Sequence, residues 1–308
     1  TYAVQSNGWL EQTFGFHQGF DHYLFPRGGI SVGARPTVWP HADNVYLEAE
    51  RLIDRHDPSR PFFLYLHFMD VHEYAAPSDL TGFGSGDEGA YRAAIAWVDE
   101  IVARVRERLE DRGLLERTAL VLASDHGEAF GENGVRGHAR NVHSQVLHVP
   151  LVIRFPFPIA PVRVSARARN LDVAPTLLEL AGLDVPEPFQ GESLLPWVID
   201  PAAASDRISF ASLRSRLYAN AVLQVGINDG SWSFLRDTDE PGSERLFDRS
   251  VDSGENVNLV EIEPERAQSL RARLDAHLAE PVDLGGVESN IRINPGLAEK
   301  LRALGYGR

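Results

Sequence analysis

Thr118-Ala-Leu-Val-Leu-Ala-Ser-Asp-His-Gly-Glu-Ala-Phe-Gly-Glu-Asn-Gly134 decides how the rest of the chain is read. Ala119 to Ala123 is an apolar run with a β-branched residue, the length of one buried strand. It stops abruptly at Ser124-Asp125-His126-Gly127, with further glycines at 131 and 134. In α/β sheets ligands collect just outside the carboxyl ends of strands, and Asp125 and His126 stand at such an end. A carboxylate oxygen and an imidazole nitrogen are both competent ligands for a divalent cation. Asp, His and Gly are also ordinary turn residues, so these four alone fix no function.

Working outward, Thr1 to Gln5 predicts a strand, and residues 9–42, rich in aromatics, Gly and Pro, predict an ordered loop. Asp43 is placed to cap a helix running to about Arg55. Pro61 to Phe68 predicts a second buried strand. Tyr91 to Arg112 predicts the longest helix, closed by Gly113, with apolar residues at 94, 95, 98, 101, 102, 105 and 109 in helical period. Val149 to Phe155 predicts another strand, and Asn170 to Thr176 leads into a helix ending before Ala181-Gly182. This alternation predicts a largely parallel sheet flanked on both faces. Near residue 205 the rhythm changes to short strand-like runs, Ile208–Leu213, Leu217–Ile227, Ser231–Leu235 and Arg245–Asp248. These predict an antiparallel sheet, followed by a helix from Pro264 to about Ala279.

At 308 residues the chain holds a large core, and the hydrophobic (43%) and charged (24%) fractions are those of a globular protein. A formal charge of −14 provides no basic field for phosphates, so a nucleic-acid partner is not expected. A small anionic substrate remains compatible with it, because a local metal ion attracts one. With no cysteine there are no disulfides and no thiolate metal sites. No run approaches the length of a transmembrane helix. The chain opens without Met on what reads as the middle of a strand, and the start of the protein is expected to lie upstream.

The whole chain resembles the sulfatase family of the alkaline-phosphatase superfamily. The matches fall in one order: Gln18-Gly-Phe-Asp21, Pro61-Phe-Phe-Leu-Tyr-Leu-His-Phe-Met-Asp-Val-His72, Tyr91-Arg-Ala-Ala-Ile-Ala-Trp-Val-Asp99 and Ser124-Asp-His-Gly-Glu128. Gly137-His138, Val149-Pro-Leu-Val-Ile153, Asp172 through Gly182 and Gln190-Gly-Glu-Ser-Leu-Leu-Pro196 follow. Arg245-Leu-Phe-Asp248 with Glu255 and Asn256, and the tail Leu301 to Tyr306, are similar to the family's ending. The resemblance implies a three-layer α/β sandwich of alkaline-phosphatase type with a small C-terminal antiparallel sheet and helix. The expected division is a core over 1–204 and an antiparallel subdomain over 205–308.

It also implies hydrolysis of sulfate monoesters beside a divalent metal, Ca2+ first, with Mn2+ or Zn2+ as alternatives. Asp125 and His126 match the metal-ligating pair. His72 matches a histidine on the sulfuryl group or leaving oxygen, and His138 sits where relatives place a Lys or His on the substrate. The chemistry asks for these types, since a cation and cationic side chains stabilise charge on non-bridging oxygens while an acid protonates the departing alkoxide. Asp172 reads as a helix-entry residue and Arg154 as structural. The partner expected is a small sulfate ester, with an exported or periplasmic location by analogy.

Two family features have no match here: an early strand with paired aspartates that completes the metal shell, and the nucleophile signature, Cys or Ser followed by x-Pro-x-Arg. His56-Asp-Pro-Ser-Arg60 copies the last four positions of that signature, but it runs straight into a strand and reads as a helix-to-strand turn. The chain is therefore expected to be roughly the back two-thirds of an enzyme, inactive alone, with an apolar face open beside Ala119–Ala123. A phosphodiesterase or phosphonate monoester hydrolase of the same superfamily is the nearest alternative, distinguished by a Thr nucleophile. A non-catalytic binding domain is the alternative from another class.

Overall fold

The computed structural model describes residues 1–26, 40–214 and 223–280. The first part of the run at 217–227 and the tail at 301–306 lie outside the described residues. The described chain gathers into two compact units: residues 1–119 with 155–157, and residues 120–154 with 158–280.

In the first unit β1 (Tyr2–Val4) lies between β2 (His22–Leu24) and β3 (Leu64–Leu66), all parallel, with Ala3 opposite both Tyr23 and Tyr65. Ala3 and Val4 are fully buried, as the middle of a parallel sheet requires. The strand β2 falls where loop was expected, because three residues are too few to show alternation. Strand β3 is less buried than its apolar run suggested, with Tyr65 exposed. Helix α1 (Ala42–Arg55) buries Val45, Ala49 and Ile53, spaced by four. Its N-cap is His41, one position before Ala42, whose N–H donates to Asn44 Oδ1 at 3.1 Å. Asp43, the expected cap, instead occupies the first turn, where a carboxylate suits the helix dipole. The long helix α2 (Gly86–Asp111) starts before Tyr91 and buries Ala94, Ile101, Val105 and Leu109, while Ile95 faces out. Gly113 follows with φ +65°, the left-handed conformation that ends helices. Arg108 clasps Asp54 of α1 through two hydrogen bonds of 2.7 and 2.6 Å, tying the helices together.

Beneath α1, His41 Nδ1 faces Asp70 Oδ1 at 3.4 Å, both side chains buried. The hydrogen bond to Asp70 raises the His41 pKa above its ordinary value against the opposing effect of burial, with the charges of Asp70 and Asp43 adding to it. A folded state that holds this proton more tightly than the unfolded chain gains stability. That gain is fully present below the unfolded pKa of about 6.5 and is lost as pH rises through the folded value. Urea midpoints measured from pH 6 upward are expected to fall across that window, and His41→Gln is expected to flatten the fall. A wild-type midpoint that rises over the same window would contradict the assignment.

The second unit begins with β4 (Leu120–Ala123), followed by a hairpin of β5 (Ala129–Phe130) and β6 (Arg136–Gly137), the short helix α3 (Ser144–Leu147), and β7 (Leu151–Arg154). Strand β7 returns antiparallel to β4, with Leu122 opposite Val152. The parallel alternation expected from sequence is thus broken here. The intervening residues form a hairpin and one helical turn, not the long crossover helix that usually carries a chain back to a parallel start. Leu122 and Val152 are 42% and 57% exposed, so this apolar run is an open face and not a strand buried on both sides.

Helices α4 (Val173–Leu180) and α5 (Leu195–Ile199) follow. Then β8 (Ser209–Arg214), β9 (Leu223–Asp229), β10 (Trp232–Asp237) and β11 (Arg245–Asp248) form a separate antiparallel sheet in the order β11-β10-β9-β8. Its buried residues Val225, Ile227, Phe234 and Leu246 pack on Ala267, Leu270 and Leu274 of α6 (Pro264–Ala279), three positions on one helical stripe. No described helix is long and apolar enough to cross a membrane.

Candidate active site

At the end of β4 the chain turns through Ser124 to Gly127. The Ser124 hydroxyl donates to His126 O at 2.8 Å, and His126 N–H donates to Asp125 Oδ1 at 2.9 Å. His126 Nδ1 lies 3.0 Å from Gly127 O. A carbonyl oxygen only accepts, so Nδ1 carries a proton and Nε2 is the ring nitrogen that a cation would use. Nε2 stands 3.8 Å from Asp125 Oδ2, whose side chain is exposed. Gly127 permits the turn because a Cβ there would lie 2.3 Å from Gln145 O, while its own N–H donates to Val146 O at 2.9 Å. Asn170 Nδ2 donates to the carbonyls of Ser124 (3.0 Å) and Asp125 (3.3 Å), pinning the turn from a remote segment.

The β5–β6 hairpin then reverses the chain, pairing Ala129 with Gly137 and setting Glu128 beside His138. Its tip uses left-handed backbone at Asn133 and Gly134. His138 Nδ1 lies 3.0 and 3.3 Å from the two oxygens of Glu128, a buried carboxylate. The His138 ring stacks on the His126 ring, with centroids 4.2 Å apart and planes at 26°. Asp125, His126 and His138 therefore come together in the second unit. His72 belongs to the first unit, in the turn after β3, half-buried, with Nδ1 3.0 Å from Glu73 Oε1. That turn is held by Glu73 N–H to Met69 O (3.0 Å) and Ala75 N–H to Asp70 O (2.8 Å).

Among the described residues no group of three or more His, Cys, Asp and Glu is arranged to hold a metal ion. Asp125 Oδ2 and His126 Nε2 nonetheless fit a shared cation, since two ligand bonds of about 2.0–2.5 Å reach atoms 3.8 Å apart. Two such ligands alone would make only part of a coordination shell. Their types suit it as well, one hard carboxylate and one imidazole with its other nitrogen bonded to a backbone carbonyl.

Two residues of this arrangement escaped the sequence reading. Glu128 was visible as part of the motif, but nothing in the sequence shows that its carboxylate meets His138 and not solvent. Asn170 carries no signal, because it acts 45 residues away. His56 is removed from consideration as a nucleophile: it is buried, with Nδ1 3.2 Å from Tyr2 Oη and Nε2 3.0 Å from Arg60 O.

The sulfatase family model matches residues 1–183, and the C-terminal model described as N-sulphoglucosamine sulphohydrolase matches residues 131–282. The chain belongs to the sulfatase family. It is 32% identical over 214 residues to steryl-sulfatase of Mus musculus, covering 64% of this chain and 33% of that protein. It is 34% identical over 175 residues to choline-sulfatase of Rhizobium meliloti, covering 56% and 33%. With N-acetylglucosamine-6-O-sulfatase of Bacteroides thetaiotaomicron the identity is 40% over 107 residues, covering 34% and 19%. The chain thus spans about a third of the length of the first two of these relatives.

Among solved structures, one in complex with its substrate D-glucosamine-2-N,6-O-disulfate superposes with a TM-score of 0.70 at 18% identity, covering 90% of this chain and 79% of the other. A phosphonate monoester hydrolase of Agrobacterium radiobacter gives 0.62 at 19% identity, covering 83% and 64%. These likenesses concern the fold, an α/β fold of the alkaline-phosphatase type carrying the small antiparallel C-terminal sheet.

Proposed function

We propose that this chain belongs to a metal-dependent sulfuric ester hydrolase that cleaves sulfate monoesters. The observation that carries the reading is the convergence of Asp125, His126 and His138 at the end of β4, in a chain of the sulfatase family. Asp125 and His126 are assigned as ligands of a divalent cation, Ca2+ first and Mn2+ or Zn2+ as alternatives. When bound, that ion supplies positive charge to the non-bridging oxygens of the ester. His138, with Nδ1 fixed by Glu128, presents Nε2 to the sulfuryl group or leaving oxygen, and His72 is assigned a contact of the same kind. No stretch of residues 1–308 matches the family's Cys- or Ser-x-Pro-x-Arg nucleophile signature, so no nucleophile is assigned within it. The likeness to phosphonate monoester hydrolase rests on fold alone, whereas the relatives at 32–40% identity are named sulfatases.

The test compares nitrophenyl sulfate with a nitrophenyl phosphodiester, using the whole gene product and residues 1–308 alone. The whole gene product is expected to hydrolyse the sulfate ester, lose that activity to a chelator and regain it with Ca2+, while residues 1–308 do not turn over. A preference for the phosphodiester, chelator-insensitive turnover, or efficient hydrolysis by residues 1–308 overturns the reading.

A further inference from the structure

We propose that Glu255 is a positioning residue for the site, through which the C-terminal antiparallel sheet holds His138 and the 125–127 turn in place. The inference rests on the sulfatase reading of His138 given above. Glu255 lies far along the sequence from that site, in the turn after β11, yet its side chain is fully buried. Its Oε2 lies 2.7 Å from His143 Nδ1 and accepts the Ser144 N–H at 3.1 Å. His143 is the N-cap of α3, so one carboxylate oxygen fixes the entry to that helix. The far end of α3 matters to the site, since Val146 O accepts the Gly127 N–H at 2.9 Å directly after His126. A short path therefore runs from Glu255 through α3 to the turn that bears Asp125 and His126.

The segment after His138 is tied to the same sheet by independent contacts. Ala139 adopts a left-handed φ of +57°, and Val142 N–H donates to Gln224 Oε1 of β9 at 2.6 Å. The Val142 side chain packs with Leu235 and Phe247 of β10 and β11. Asn133 at the tip of the β5–β6 hairpin donates to Gly254 O at 3.4 Å, so the turn preceding Glu255 also touches the hairpin that returns His138.

The backbone at Glu255 indicates that its placement is imposed. Its φ is +56°, a left-handed conformation unfavourable for a residue with a side chain, and the turn is held by Asp252 Oδ2 accepting from Asn256 N (2.7 Å) and Val257 N (2.8 Å). A buried carboxylate–histidine pair in strained backbone is weak evidence of a role in stability alone, since replacing such a pair as a whole by apolar groups is often neutral or stabilising, although removing one partner is costly. It is a good choice for fixing one geometry. Groups of this sort behind a metal or substrate residue typically change affinity or activity 10- to 100-fold when removed.

The test uses Glu255→Ala, Glu255→Gln and Glu255→Met in the full chain, with histidine-labelled NMR of the His126 and His138 rings recorded before any activity assay. Glu255→Gln keeps an oxygen acceptor for Ser144 N–H and His143, and Glu255→Met keeps length without acceptor or buried charge, which covers the case in which Glu255→Ala does not fold. The expected result is displaced His138 ring signals in the Ala and Met variants and near-native signals in the Gln variant. In the active protein, kcat/KM for an aryl sulfate is expected to fall about 10- to 100-fold for Ala or Met and to recover to within about threefold for Gln. Unchanged ring signals in a folded Ala or Met variant overturn the proposal, as does a loss that follows melting temperature equally in all three. Wild-type protein that hydrolyses no sulfate ester would defeat the functional reading, while the ring signals still decide the role of Glu255.

Discussion

Asp125→Ala is expected to reduce metal-dependent hydrolysis of an aryl sulfate by at least about a hundredfold in the active protein, with little change in stability. The two halves of that statement have different physical origins. Asp125 is highly exposed, and its one described side-chain bond accepts the neighbouring His126 N–H at 2.9 Å. Truncation therefore removes no packing, and exposed substitutions of this kind usually change stability by no more than about 0.5 kcal/mol. Function depends on the carboxylate charge, because Asp125 and His126 are the two residues assigned in this chain that would hold the proposed cation, and the substitution removes one of them. Asp125→Asn separates the two roles: it can still accept the His126 N–H but lacks the charge. Calorimetric Ca2+ titration and kcat/KM should fall together in both variants while the melting temperature stays near wild type. Activity within about threefold of wild type in Asp125→Ala would remove Asp125 from the metal site.

The sequence made the strand end, the turn and the reversal of the chain readable, because each has a local cause. An apolar run stops at a polar cluster, and glycines at 127, 131 and 134 release the backbone for the hairpin that returns His138. What the sequence could not show are contacts whose partners lie far apart. Asn170 acts on the carbonyls of Ser124 and Asp125, and Glu255 acts on His143, yet neither is distinguishable in composition from a solvated loop residue. The exposure of β4 departs from the buried strand that its apolar pattern predicts and agrees with the open face expected beside Ala119–Ala123. Leu120-Val-Leu-Ala123 carries no polar alternation, so pattern alone predicts burial on both faces, whereas Leu122 and Val152 meet solvent. His41 displaced Asp43 as the helix cap because Asn44 and Asp70, neither of which a cap rule considers, hold it there.

Asp172→Ala is expected to destabilise the second unit by about 3–5 kcal/mol, the usual cost of removing one partner from a buried charge cluster. The sequence placed Asp172 at a helix entry, and the structure shows how much converges on it. Its carboxylate is completely buried and accepts from Arg169 N (2.9 Å), Arg169 Nη2 (2.8 Å) and Glu192 N (2.9 Å), with Arg207 Nη1 at 2.9 Å. Gly191 lets the chain approach this closely, since a Cβ there would lie 1.8 Å from Leu171 O. Removing the carboxylate leaves two mostly buried guanidinium groups whose remaining carboxylate partner among the described residues is the exposed Glu192, at 3.3 and 3.8 Å.

Burial pushes the Asp172 pKa up, but hydrogen bonds from Arg169, Glu192 N–H and Arg207 outweigh it and hold the group below the usual carboxylate range. The linked stability is therefore present above the unfolded pKa of about 3.9 and is lost as pH falls through the lower folded value. Asp172→Asn retains oxygen acceptance without the charge, so its deficit relative to wild type should shrink in acid, whereas the packing deficit of Asp172→Ala should persist there. Because Asn170 precedes this node by two residues and pins the Asp125 turn, the alanine variant is also expected to loosen that turn, measurable as faster amide exchange at 124–127. Denaturation of both variants at pH 7 and near pH 3 decides the matter: a cost below about 1 kcal/mol at neutral pH would make Asp172 a simple helix-entry residue and not the centre of a charge cluster.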